Sequence, residues 1–192
     1  LDLAGNGNAA SVSVDNTVTY DVTLPTVTVN QAVGQADPTN GSPINFTVIF
    51  SEPMTGFTNT DVTLAGTAVP TTAVVTGGGT TYNVAVSGMS GSGTVIVSVP
   101  AGGAADISGN LNAASTSTDN TVTYDVTRPT VTIEQDGAQV DPTGISPINF
   151  AVVFSEPVSG FANTDVTLSG TAGATTVVVS GGGAVYNVAV SG

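Results

Sequence analysis

The 192-residue chain has no cysteine, no histidine and no tryptophan, and its single basic residue, Arg128, leaves it without lysine. Each absence excludes chemistry. Without imidazole there is no base poised near neutrality and no histidine metal ligand. Without thiol there are no disulfides, thiolate nucleophiles or zinc–thiolate centres. Without lysine there is no Schiff base, no phosphate-loop ammonium and no lysine isopeptide crosslink. Fourteen acids against one base give a formal charge of −13. That charge opposes nucleic acids and anionic membranes, both of which are bound mainly through Lys and Arg. No apolar run approaches the roughly 18 residues of a membrane span, so direct membrane insertion is not expected.

What is present is a strand-and-turn vocabulary. Val, Thr, Gly and Ser dominate, only 8% of residues are charged, and mean hydropathy is +0.31. β-branched residues alternate with polar ones, which favours pleated strands over helices and over disorder.

The decisive feature is internal repetition. DNTVTYDVTLPTVTV from Asp15 returns as DNTVTYDVTRPTVTI from Asp119, and SPINFTVIFSEP from Ser42 returns as SPINFAVVFSEP from Ser146. The offset is 104 throughout, as from Pro25 to Pro129 or Tyr82 to Tyr186. Roughly two-thirds of the overlapping positions are identical without a gap, and so long a period is a whole domain rather than a solenoid rung.

One period holds about seven short strands, expected near 26–30, 44–50, 61–67, 71–76, 81–87, 93–99 and 117–125. Ile44, Phe46, Val48 and Phe50 share one face, as do Tyr82, Val84 and Val86, and Val95, Val97 and Val99. Of these, Phe46, Phe50, Tyr82, Val84, Val86, Val95 and Val97, with Tyr124, make the expected core. Turns are expected at Asp37-Pro38, Asn40-Gly41, Glu52-Pro53 and Gly77-Gly78-Gly79. Seven short strands in about 100 residues predict an all-β fold of tandem immunoglobulin-like sandwiches. Boundaries fall at YDVTLPTV and YDVTRPTV. Residues 1–22 are then expected to be the last loop and strand of a preceding repeat, 23–126 a complete repeat, and 127–192 the opening, incomplete part of the next.

These residues also carry a family resemblance. Phe50-Ser51-Glu52-Pro53 with Gly56-Phe57 and Asp61-Val62, the D-x-x-G-N element Asp106–Asn110, and the T-x-P-T-V linker Thr23–Val27 together resemble the bacterial immunoglobulin-like repeats of large surface adhesins and biofilm-associated proteins. The resemblance implies a non-enzymatic, extracellular or cell-surface segment, with calcium at the domain junctions of some relatives.

Among the residues themselves, only carboxylates offer site chemistry. In a seven-stranded sandwich the linker, the second-to-third strand loop and the last loop share one end. That gathers Asp21, Glu52, Asp61, Asp106 and Asn110 above the complete repeat, and Asp125, Glu156 and Asp165 above the next. At the other end, the loop holding Asp37 is expected near Asp125. Calcium takes six to eight oxygens and suits such a junction. Asp and Asn also make turns by bonding their own backbone, and no dense D-x-D-x-D-G loop is present, so both readings stand.

Other chemistry fares worse. Glycoside hydrolysis needs an aromatic-lined cleft that six Phe and four Tyr in core positions do not leave. The triglycine lacks the lysine of a phosphate loop and reads as a hairpin turn. The expected role is a spacer repeat forming a rigid stalk or fibre, with neighbouring repeats of the same chain as partners. Two alternatives are a filament subunit sharing strands with identical chains, and a module binding glycan or protein through its loops.

Overall fold

The computed structural model describes residues 1–192, which form two compact units, Leu1–Val126 and Thr127–Gly192. In the first unit β1 (Val27–Gln31) pairs antiparallel with β2 (Ile44–Met54), placing Val29 opposite Val48. β2 in turn pairs with β4 (Thr72–Ser87), placing Phe46 opposite Val84. A second sheet joins β3 (Thr63–Ala65), β5 (Gly93–Ser98) and β6 (Thr121–Tyr124), with β5 in the middle.

β4 is an unbroken extended run that folds back on itself at the triglycine. At its base the Thr71 N–H donates to Ser87 O at 3.2 Å. Near its tip a Cβ on Gly77 would lie 2.6 Å from Thr81 O. Gly77 has φ +114° and Gly79 has φ +67°, conformations that only glycine adopts without cost. Thr71 and Ser87, sixteen positions apart, meet only if the run is a hairpin, as the sequence predicts. Counting its two arms, the sheets hold four and three strands in the arrangement of an immunoglobulin-type sandwich.

Alternation in the sequence sets the core. Ile44, Phe46, Val48, Val84, Val86, Val95, Val97 and Val122 are all fully buried, and Tyr124 packs against them partly covered. Phe50, Phe57 and Tyr82 pack edge-to-face with ring centroids 5.0–5.8 Å apart. Tyr82 Oη donates to Met54 O at 3.2 Å, so the one polar atom of the triad is satisfied.

Three expectations need correction. Glu52-Pro53 does not end its strand. β2 runs on to Met54 through a bulge, since Ile49 faces Thr81 but Met54 faces Gly79. Four residues of β2 therefore oppose a single residue of β4, and Pro53, which has no N–H, sits where no ladder bond is required. The strand expected at 61–67 is only Thr63–Ala65, preceded by a 3-10 turn at Asn59–Asp61. The period-two pattern of residues 17–22 forms no strand, leaving Val18, Tyr20 and Val22 exposed by 95, 87 and 63%. The identical residues of β6 are strand because they pair with β5, and in this unit both edges of β5 are already occupied.

The second unit repeats the first sheet. β7 (Val131–Gln135), β8 (Ile148–Val158) and β9 (Thr176–Ser191) pair as β1, β2 and β4 do, with Phe150 opposite Val188. Phe154, Phe161 and Tyr186 reproduce the aromatic triad. Thr167, Leu168 and Ser169 stand one period after β3 but form no strand, and the inner face of this sheet is only partly covered.

Candidate functional site

The bulge in β2 turns Glu52 toward the end of the first unit where the chain enters it. Backbone bonds between Thr55 and Ala105, in both directions at 2.7 and 3.1 Å, tie the loop beginning at Ala105 to the same place. Asp21 arrives from the linker and is fixed by Asn110 Nδ2, which donates to Asp21 O at 3.2 Å. Asp21, Glu52 and Asp106 therefore converge, with one carboxylate oxygen of each within 4.8 Å of the others.

Asp106 is the anchor of the group. It is only 3% exposed. Its Oδ1 accepts the Asn110 N–H at 2.8 Å and its Oδ2 accepts Asn110 Nδ2 at 2.9 Å. Burial alone would raise its pKa, but the bonds from Asn110 and the N–H groups of Ser108 and Gly109 outweigh burial and hold it below its ordinary value. Glu52 has no such help: partial desolvation, then repulsion from Asp106 and Asp21, push its pKa up. The two acids are thus driven apart, with Asp106 kept ionised and Glu52 the strained charge.

The D-x-x-G-N loop builds itself. Asp2–Asn6 is its copy one period earlier and has no domain around it. There Asp2 Oδ1 accepts the N–H groups of Ala4 and Asn6, both at 2.9 Å, and Oδ2 accepts Asn6 Nδ2 at 3.0 Å. The turn chemistry is therefore local; the domain contributes the convergence with Asp21 and Glu52.

The other sequence candidates lie elsewhere. Asp61 is not part of the group. Its Oδ2 accepts the Thr58 N–H at 2.7 Å and the Thr58 hydroxyl at 2.8 Å, capping the 3-10 turn. Asp165 does the same for Ala162 N–H at 2.9 Å. Asp125 accepts from Ser92 Oγ at 3.0 Å, and its N–H donates to Thr39 O. Asp37, expected near it, accepts the Thr123 N–H at 2.9 Å. Glu156 sits half-buried in the β8 bulge, as Glu52 does in β2.

Two contributors to the site, Ser108 and Asn112, carry no obvious signal in the sequence, and neither does Asn30, which holds the closing segment away from the site. Ser108 Oγ lies 3.5 Å from Asp21 Oδ2. Asn112, 2% exposed, accepts from Ala104 N–H and donates to the carbonyls of Pro100 and Ala113, pinning the loop that carries Asp106. Asn30 Oδ1 accepts the N–H groups of Thr118 and Asp119. The N-x-N spacing of Asn110 and Asn112 is the only hint of the second of these.

Three carboxylates, an amide and nearby backbone carbonyls are hard oxygen donors, which suit calcium better than the compact octahedron of magnesium. No helix of the protein is long and apolar enough to cross a membrane.

The sandwich, its bulged second strand and its self-capped acidic loop define the first unit as an immunoglobulin-like domain. The family model described as a bacterial Ig-like domain matches residues 21–124, more than half of the chain, and the chain belongs to that family. The match begins at Asp21 and ends at Tyr124, one period of the repeat. No curated protein and no solved structure matches the chain.

Proposed function

We propose that the chain is a non-catalytic spacer of a bacterial cell-surface or extracellular protein, built to carry tension along a stalk. One observation carries this reading. In the first unit, the strand where the chain enters and the segment where it leaves are hydrogen-bonded side by side and parallel. Ala113 N–H donates to Pro25 O at 2.8 Å, Thr116 N–H to Val27 O at 3.0 Å, Val29 N–H to Thr116 O at 3.3 Å, and Gln31 N–H to Asp119 O at 2.6 Å. Pulling the two ends of the unit apart slides these partners along each other, so all four bonds resist together. An antiparallel pair pulled from its open end would instead lose its bonds one at a time.

The acidic group fits the same role. Asp21 lies on the incoming linker, Glu52 on β2 and Asp106 on the last loop, so a calcium ion shared by them would tie the linker to the domain. It would also neutralise the repulsion from Asp106 and Asp21 that adds to desolvation in raising the pKa of Glu52.

The spacer reading is tested by pulling single molecules through their termini, and the calcium reading by thermal unfolding in calcium and in chelator. An equal melting temperature in both at millimolar calcium would remove the ion from the account.

A further inference from the structure

In each unit the hairpin strand has an inner and an outer arm. In the first unit β2 pairs with residues 79–86 of β4, so residues 72–76 form the outermost strand of that sheet, with no strand beside them. In the second unit β8 pairs with residues 183–190 of β9, which leaves residues 176–180 outermost in the same way.

An open sheet edge is a template for pairing with another chain, and proteins blunt it with lysine, proline, charge or a covering group. These arms use none of the first three. Residues 71–76 read TTAVVT and residues 175–180 read TTVVVS, β-branched or small throughout, without proline or charge. Residues 62–105 and 166–192 carry no charged side chain at all. In a chain of formal charge −13, these are the stretches where a second copy meets least repulsion. Val74 and Val178 in the arms are 45 and 52% exposed. Short, uncharged, β-forming segments on an open edge have the composition that favours stacking between chains.

What covers each arm is one side chain. Asn59 Oδ1 accepts the Val75 N–H at 2.7 Å, and Asn163 Oδ1 accepts the Val179 N–H at 2.7 Å. The donor in each case is a backbone group of the outermost strand. The acceptor comes from outside the sheet, on the 3-10 turn that follows β2 or β8. That turn is held at both ends. Phe57 anchors its approach in the aromatic triad, and Asp61 closes it on Thr58. Phe161 and Asp165 do the same in the second unit. Asn-Thr-Asp recurs at 59–61 and 163–165, although Thr58 gives way to Ala162.

We propose that Asn59 and Asn163 are edge guards, each sealing the outer arm of its hairpin against pairing with the same arm of a second copy of this chain. An incoming strand must place a carbonyl where the amide oxygen already sits. Displacing that oxygen exchanges one hydrogen bond for another, so the new ladder gains nothing at Val75 or Val179. This inference does not depend on the spacer or calcium readings.

The test is sedimentation velocity of the full chain carrying Asn59→Ala and Asn163→Ala together. The double variant is expected to associate at concentrations where the parent does not. Adding Val74→Lys and Val178→Lys, which puts a charge on the exposed face of both arms, should return it to the parent's behaviour. Asn59 and Asn163 are exposed, so each alanine removes one hydrogen bond and leaves the sandwich folded, which circular dichroism verifies. Amide exchange in the parent adds a readout that needs no variant: Val75 and Val179 should exchange slowly although they lie on open edges. A double variant that associates no more than the parent, association that survives the lysines, or fast exchange at Val75 and Val179 would each overturn the proposal.

Discussion

Replacing Phe57 by alanine tests whether the aromatic triad, and not the loops around it, organises the end of the first unit. Phe57 is 7% exposed and touches Phe50 and Tyr82 edge-to-face at centroid distances of 5.2 and 5.0 Å. Removing a buried phenyl ring costs about 3–5 kcal/mol from lost transfer energy and the cavity left behind. Two edge-to-face contacts, at ~0.5–1.5 kcal/mol each, place this site in the upper part of that range. In a domain of this size each kcal/mol moves the midpoint by about 4–8 °C. The first unit's calorimetric transition should therefore fall by roughly 15–40 °C. Phe161→Ala removes the same ring from the second unit, where Phe161 is only half-buried, and should cost visibly less. A fall below about 5 °C for Phe57→Ala, or equal losses for both variants, would refute the packing argument.

Val69 adopts φ +52°, a left-handed conformation unfavourable for a β-branched residue, whereas its counterpart Gly173 has φ +72° without penalty. Val69→Gly should stabilise the first unit by about 1 kcal/mol in calorimetry; a loss of stability would contradict the assigned backbone. Glu52→Gln removes the carboxylate whose pKa is raised above its ordinary 4.5. In the parent chain the folded state favours protonated Glu52, so that contribution is full below the ordinary value and is lost as pH rises through the folded one. Without calcium, the variant should therefore lose less stability than the parent as pH rises above the ordinary 4.5. With calcium the order should reverse: the parent gains about 2.7 kcal/mol at a hundredfold excess over its Kd, and the variant gains much less. Unchanged pH and calcium responses in the variant would remove Glu52 from the site.

Much of this was legible from the sequence because it is local. The face shared by Ile44, Phe46, Val48 and Phe50, the triglycine hairpin and the D-x-x-G-N turn each follow from neighbours a few residues apart. Their outcomes match the expectations drawn from them. What the sequence hid depends on partners far along the chain. DNTVTYDV contributes a strand, Thr121–Tyr124, in its second copy but none in its first, and the partners it finds, β5, Gln31 and Thr39, separate them. Glu52-Pro53 reads as a turn, yet the bulge absorbs it within β2. Of the acids expected above the first unit, Asp21, Glu52 and Asp106 meet, with Asn110 bridging. Asp61 instead closes its own T-x-x-D turn with Thr58, a pattern that was visible in the sequence but lost among the candidate ligands. The parallel contact between β1 and residues 113–119 left no trace in periodicity, because it joins segments about 88 positions apart.

The central claim is mechanical, and pulling the intact chain by its two ends tests it most directly. Unfolding the 104 residues of one repeat releases at most about 3.6 Å per residue, less the roughly 35 Å folded span of a small domain, or about 340 Å. The account predicts one all-or-none step of that length for the first unit at a distinct force. Thr116→Pro, which deletes the N–H donated to Val27 O, should lower that force markedly while moving the midpoint only by the roughly 0.5–1.5 kcal/mol of a single hydrogen bond. Gradual extension without a step, or a force indifferent to Thr116→Pro, would contradict it.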